Sequence, residues 1–153
     1  MADTERGELL EIYKLHAELT DRVSQRRDGA NRLYVSLLLA LVLFLAALFR
    51  FGSGEPPRNI VLVVIGTVGI TLSVSWLLVI RSYRQLNTGK LKALHELEEH
   101  LAYPLFKREW ELLGEGKDRV RYWRLTQAEA VLPWIFLLLF CGVLITKCLP
   151  DLT

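Results

Sequence analysis

Apolar and polar residues fall into long alternating blocks along this chain. Leu33 to Phe49, Ile60 to Ile80 and Ala130 to Thr146 carry no charged side chain. Each block is close to the roughly 20 residues that a helix needs to cross the hydrocarbon core of a bilayer. The pattern therefore predicts spans over residues 33–50, 60–80 and 128–148. Hydrocarbon offers the backbone no hydrogen-bond partner, so such segments satisfy their amides internally as helices. The expected fold class is an all-α membrane protein with three transmembrane helices.

The remaining blocks have a helical period of their own. In residues 1–32, Leu9, Ile12, His16, Leu19 and Val23 recur at three- and four-residue steps, against Glu8, Glu11, Glu18, Asp21 and Arg22. This is an amphipathic helix, with His16 read as a packed residue of its apolar stripe. "RRDGAN" (26–31) admits either a break at Gly29 or a continuous helix into the first span. "FGSGEPPRN" (51–59) supplies turn residues for a tight hairpin of two membrane helices. Within the second span, Thr67, Thr71 and Ser75 follow a four-residue step, and Gly69 with Ser73 forms a small-xxx-small pair that lets another helix approach closely.

The insert over residues 81–127 opens with a helix whose one side carries Leu91, Leu94, Leu97 and Leu101. Lys92 and Glu96 have the i,i+4 spacing of an ion pair, and Pro104 is expected to end or bend the helix. A second short helix is expected over Phe106–Leu113, stopped by "GEGKD", and "RVRYWRL" (119–125) alternates as an extended segment would. "TQAE" (126–129) has the capping-box pattern, which places the start of the third membrane helix there. Residues 149–153 remain as a short tail.

Charge orients this arrangement. Of nineteen Lys and Arg, six precede the first span and ten lie between the second and third. Positive flanks stay on the cytosolic side, so the N-terminal helix and the insert are expected in the cytosol, with 51–59 and the tail outside. Acidic residues follow the same division and the net charge is only +2. That balance argues against nucleic acid as a partner. A secretory signal peptide is not expected, because charge is spread through the residues before the first apolar run. Cys141 and Cys148 lie about 10 Å apart on one helix and cannot pair within it.

The candidate sites are interfacial. Arg81 and Arg84 follow the second span at the inner headgroup level, their stems covering apolar surface while the guanidinium groups reach water or lipid phosphate. Arg50 and Lys147 play the same part at the outer boundary, and Tyr34, Trp76 and Trp134 lie near span ends, where amphipathic rings are favoured. Arg119, Arg121 and Arg124, interleaved with Tyr122 and Trp123, suit anionic headgroups or a phosphorylated ligand, the plain alternative being interfacial anchoring. The Thr67, Thr71, Ser75 stripe reads either as a pore lining or as helix packing. His95 and His100 are not spaced as a metal pair, "GEGK" lacks the Ser or Thr of a phosphate-binding loop, and no serine has an interpretable histidine partner. No metal, cofactor or catalytic residue is expected.

"EIYKLHAELTDRVSQRR" before the first span, "SYRQLNTGKLKALHELEEHL" after the second, Pro104, Glu109-Trp110, and "LTQAE" with Pro133 resemble the RipA-like octameric family of small bacterial membrane proteins. The likeness extends from about Glu11 to Leu144. More loosely, the layout resembles the two-span SLATT effector families of bacterial conflict systems. The first resemblance implies a homo-oligomeric ring, an octamer, in the bacterial inner membrane, with a role in envelope homeostasis or stress adaptation and no reaction. In such a ring Tyr83, Arg84, Gln85, Asn87, Lys90, Glu109 and Trp110 would make subunit contacts. A non-enzymatic scaffold or regulator is the first expectation, a pore or membrane-perforating effector the second, and an interfacial lipid-acting enzyme using His95, His100 and Glu109 the third.

Overall fold

A computed structural model of the chain describes residues 2–51, 57–101, 104–112 and 125–148. They form four helices: α1 (Ala2–Phe51), α2 (Pro57–Glu98), α3 (Leu105–Leu112) and α4 (Leu125–Cys148). No strand occurs among the described residues. Three of the helices are long and apolar enough to cross a membrane.

Of the two readings of "RRDGAN", the continuous helix is the one formed, since Gly29 lies inside α1. A glycine costs a helix about 1 kcal/mol relative to alanine, too little to interrupt the 50 residues of α1. α2 also runs on, from Pro57 through the second apolar block to Glu98. Pro57 opens it, at a position where the missing N–H is no loss.

α2 ends earlier than Pro104 implies. The amides of His100 and Leu101 donate to the carbonyls of Leu97 and Glu98, both over 3.1 Å. These tight bonds use up the last carbonyls and close the helix. Leu101 therefore lies beyond the leucine side, on which Leu94 is the buried member. α3 begins and ends one residue before the expected Phe106–Leu113. α4 begins at Leu125, so Thr126 is already helical, and its expected capping contact falls outside the described side chains. "GEGKD", residues 119–124 with Arg119, Arg121, Tyr122, Trp123 and Arg124, and the tail 149–153 lie outside the described residues.

The chain divides into two compact units: Met1–Asp28 with Arg81–Ala128, and Gly29–Ile80 with Glu129–Thr153. In the second unit, segments of α1, α2 and α4 enclose Leu38, Ile65, Trp76, Ile80, Phe136 and Phe140. α4 packs antiparallel against α2 at two glycines. A Cβ at Gly69 would fall 2.4 Å from the Phe140 ring, and one at Gly66 would fall 2.6 Å from Leu144. Dispersion contact at this range is what holds helices together in lipid, where no hydrophobic force acts between them.

Trp76 differs from the expectation of an interfacial ring. It is 1% exposed, stacks on Tyr34 with centroids 5.8 Å apart and planes 4° from parallel, and donates its indole N–H to Asn31 Oδ1 over 2.8 Å. A buried indole needs an acceptor, and Asn31 one helix away supplies it.

The outer faces of these helices are apolar as well. In the most apolar windows of the three spans only 11%, 33% and 17% of residues are buried. Leu43, Val64, Leu78, Leu138 and Ile145 all point outward. Water would make such a surface unfavourable, and a bilayer removes that cost. The chain is an all-α membrane protein.

Candidate functional site

The other unit is organised around a buried acid. Glu98, the last residue of α2, is 1% exposed. Its Oε1 accepts from the Tyr13 hydroxyl over 3.0 Å and from the Phe106 amide over 2.7 Å, and its Oε2 accepts from the Lys107 amide over 3.0 Å. Pro104 stands at the head of α3, where its carbonyl accepts from the Arg108 amide. Proline has no side-chain acceptor, so α3 lacks a cap of its own and Glu98 supplies one from another helix. An eight-residue helix is marginal alone, and a carboxylate at its positive end stabilises it.

Tyr13 completes the arrangement. Its ring meets Phe106 edge to face with centroids 6.0 Å apart. Burial, the hydrogen bond to Glu98 and the charge of Glu98 push the Tyr13 phenol up to about 12. Nearby, Lys90 Nζ donates to the Leu19 carbonyl over 3.2 Å, so α1 and α2 run antiparallel here.

With α3 held in this way, a cleft of about 490 Å³ opens between it and α2. Thr88, Leu91, Lys92 and His95 line one wall, and Phe106, Glu109 and Trp110 line the other. Both sets have helical spacing, so each wall is one face of one helix. A second cavity of about 410 Å³ adjoins along α2, lined by Arg81, Arg84, Gln85, Thr88, Gly89 and Lys92. Thr88 and Lys92 belong to both. An open groove of about 510 Å³ is lined by residues that include His16, Gln85, Leu86 and Lys90. The His16 Nδ1 and, elsewhere on α2, the Asn87 Oδ1 are buried without a hydrogen-bond partner among the described residues.

The sequence-predicted residues fall as follows. Arg81, Arg84 and Gln85 are exposed on α2, and Tyr83, Asn87 and Lys90 are half-buried. Glu109 is exposed and Trp110 half-buried, both facing the cleft. The expected Lys92–Glu96 ion pair does not form among the described residues. Such a pair is worth only about 0.2–0.5 kcal/mol, too little to hold Lys92 away from the cleft. His95 and Glu109 share the cleft, whereas His100 is exposed in the turn after α2 and does not line it. Among the described residues no group of acids, histidines and cysteines is placed to hold a metal ion.

In the membrane unit, Gly69 and Ser73 are buried, and the Ser73 hydroxyl donates to the Gly69 carbonyl over 2.8 Å. Thr67 and Thr71 are exposed, their hydroxyls donating back to the carbonyls of Val63 and Thr67. Ser75 is half-buried and Trp134 exposed.

Sequence reasoning missed Glu98, Tyr13 and Asn31. Tyr13, four residues after Leu9 and three before His16, reads as one more ring of the apolar face, Asn31 reads as a polar flank of the first span, and Glu98 sits in an acidic run, "ELEEH", that reads as a solvated face. A local signal existed for Glu98 alone: Pro104 leaves the helix after it without a side-chain cap.

A family model matches residues 10–149, and the chain belongs to that family, the Octameric membrane protein family (8xMP). No curated protein and no solved structure matches significantly. The chain is thus a multi-span helical membrane protein that associates with copies of itself.

Proposed function

We propose that the chain forms a closed eightfold ring in the bacterial inner membrane and acts there as a non-enzymatic scaffold or regulator of the envelope, as the RipA-like likeness implies. The observation that carries this reading is apolar surface that one chain leaves uncovered. In the unit outside the apolar blocks, Leu10, Ile12, Leu15, Leu86, Leu105 and Leu112 are exposed. Lipid does not cover such residues in a cytosolic segment, and neighbouring copies related by rotational symmetry do. The excess of Lys and Arg before the first span and in the insert supports a cytosolic N-terminus and an outer C-terminus. The same excess of cationic side chains supports attraction of this part of the chain to an anionic leaflet.

Light scattering on the protein in mild detergent tests the ring: eight copies of the 17.6 kDa chain are expected, and a monomer or dimer overturns it. A second reading, a pore built by the same ring, is favoured by one observation: Thr67 and Thr71 are exposed hydroxyl-bearing positions on an otherwise apolar span. Dye-loaded liposomes separate the two. Retention of a small dye at high protein density supports the scaffold, and release supports the pore.

A further inference from the structure

We propose that the cleft between α2 and α3 is a binding site for a soluble organic anion with a flat apolar body. Lys92 and Arg84 hold its anionic group, and Leu91, Phe106 and Trp110 hold its body. Three features converge on this chemistry. The main cavity, at about 490 Å³, has the size of a small-molecule site, and its Phe106 and Trp110 rings stand four residues apart on one face of α3. The adjoining cavity contributes Arg81, Arg84 and Lys92 with no acid among its described lining residues. None of those three cations is in an ion pair among the described residues, so their charge is available. Guanidinium and ammonium donors of this kind suit a phosphate or carboxylate.

The order of the cavities along α2 distinguishes a soluble ligand from a membrane lipid. Arg84 follows closely on the apolar run that ends at Ile80, Lys92 lines both cavities, and Leu91 and His95 lie about 10–16 Å beyond Arg84 along the helix. A bilayer phospholipid has the opposite order: headgroup outermost and tails toward the membrane. A free anion has no such constraint. Glu109 is the acid of the main cavity, and it disfavours a second anionic group at that end, so a single head and a neutral body fit best.

Calorimetry on the whole oligomer in phosphatidylcholine nanodiscs tests this, with 1-naphthyl phosphate as the probe. Saturable binding is expected, about tenfold or more tighter than for inorganic phosphate or 1-naphthol alone. Lys92→Glu and Arg84→Gln alter exposed side chains, and their helicity and oligomer mass are measured alongside binding. They are expected to weaken binding by about tenfold and by about threefold or more. Unchanged affinity in both variants overturns the site. So does equal binding of 1-naphthol, which would mark simple partition. Absence of saturable heat up to about 10 mM overturns it in favour of a cleft filled by a neighbouring copy. Displacement of the probe by phosphatidylglycerol in the nanodisc overturns it in favour of a lipid occupant.

Discussion

The Tyr13 hydroxyl donates to Glu98 Oε1 over 3.0 Å, although 85 positions of sequence separate the two residues. That bond joins the first helix to the end of the second, and the same carboxylate holds the third through two amides. One acid therefore fixes three helices.

Removing the negative charge loosens α3. Glu98→Gln keeps the shape but turns one acceptor into a donor that faces the Lys107 amide in one orientation and the Phe106 amide with the Tyr13 hydroxyl in the other. The expected loss is about 1–3 kcal/mol, and Tyr13→Phe is expected to cost less, because the two amide bonds survive. Hydrogen exchange at Phe106 and Lys107 reads this directly. Exchange unchanged in Glu98→Gln would show that the cap does not hold α3.

The same contact makes stability depend on alkaline pH. Tyr13 is held protonated up to about 12 against an ordinary 10.0. Folding is thus favoured by the protonated phenol, and that contribution is complete below pH 10 and lost as pH rises toward 12. Ultraviolet titration should show one tyrosine ionising late, absent in Tyr13→Phe. The variant should also lose less stability than the parent between pH 10 and 12.

Two glycines separate close packing from mere tolerance. Gly69→Ala drives a methyl group into the buried Phe140 ring and is expected to destabilise by about 1–3 kcal/mol. At Gly29 a Cβ meets nothing within 4 Å, so Gly29→Ala is expected to stabilise α1 by about 0.5–1 kcal/mol. Melting midpoints in detergent check both signs. A lowered midpoint for Gly29→Ala would contradict a continuous, unhindered helix there.

Asn31→Ala leaves the buried Trp76 indole without its acceptor. A loss of about 1–3 kcal/mol is expected, and Trp76→Phe in the same background should remove most of the coupling. A double-mutant cycle with additive effects would show that the bond contributes nothing beyond the stacking on Tyr34.

Much of the membrane part was legible because it depends on composition over long windows. The uncharged runs from Leu33, Ile60 and Ala130 marked the three long helices, and the Gly69–Ser73 spacing marked a close approach. Trp76 was misplaced for a physical reason. An indole near a span end suits the interface and the interior equally, and what selects the interior is an acceptor from another helix. The α2 terminus was misplaced because Pro104 is a visible stop signal, whereas the early closure at Leu97 and Glu98 depends on backbone bonds formed as the chain reverses.

The sequence alone determined that this chain is helical and lives in lipid. Charge is excluded from hydrocarbon whatever the partners, and runs without charge declare themselves. Only the tertiary structure decided between Glu98 and Glu99, neighbours of identical chemistry in one acidic run. Glu98 is buried and holds α3, while Glu99 is exposed. The difference arises because a carboxylate stays buried only where donors surround it, and those donors come from Tyr13, Phe106 and Lys107, which no local pattern brings to its side.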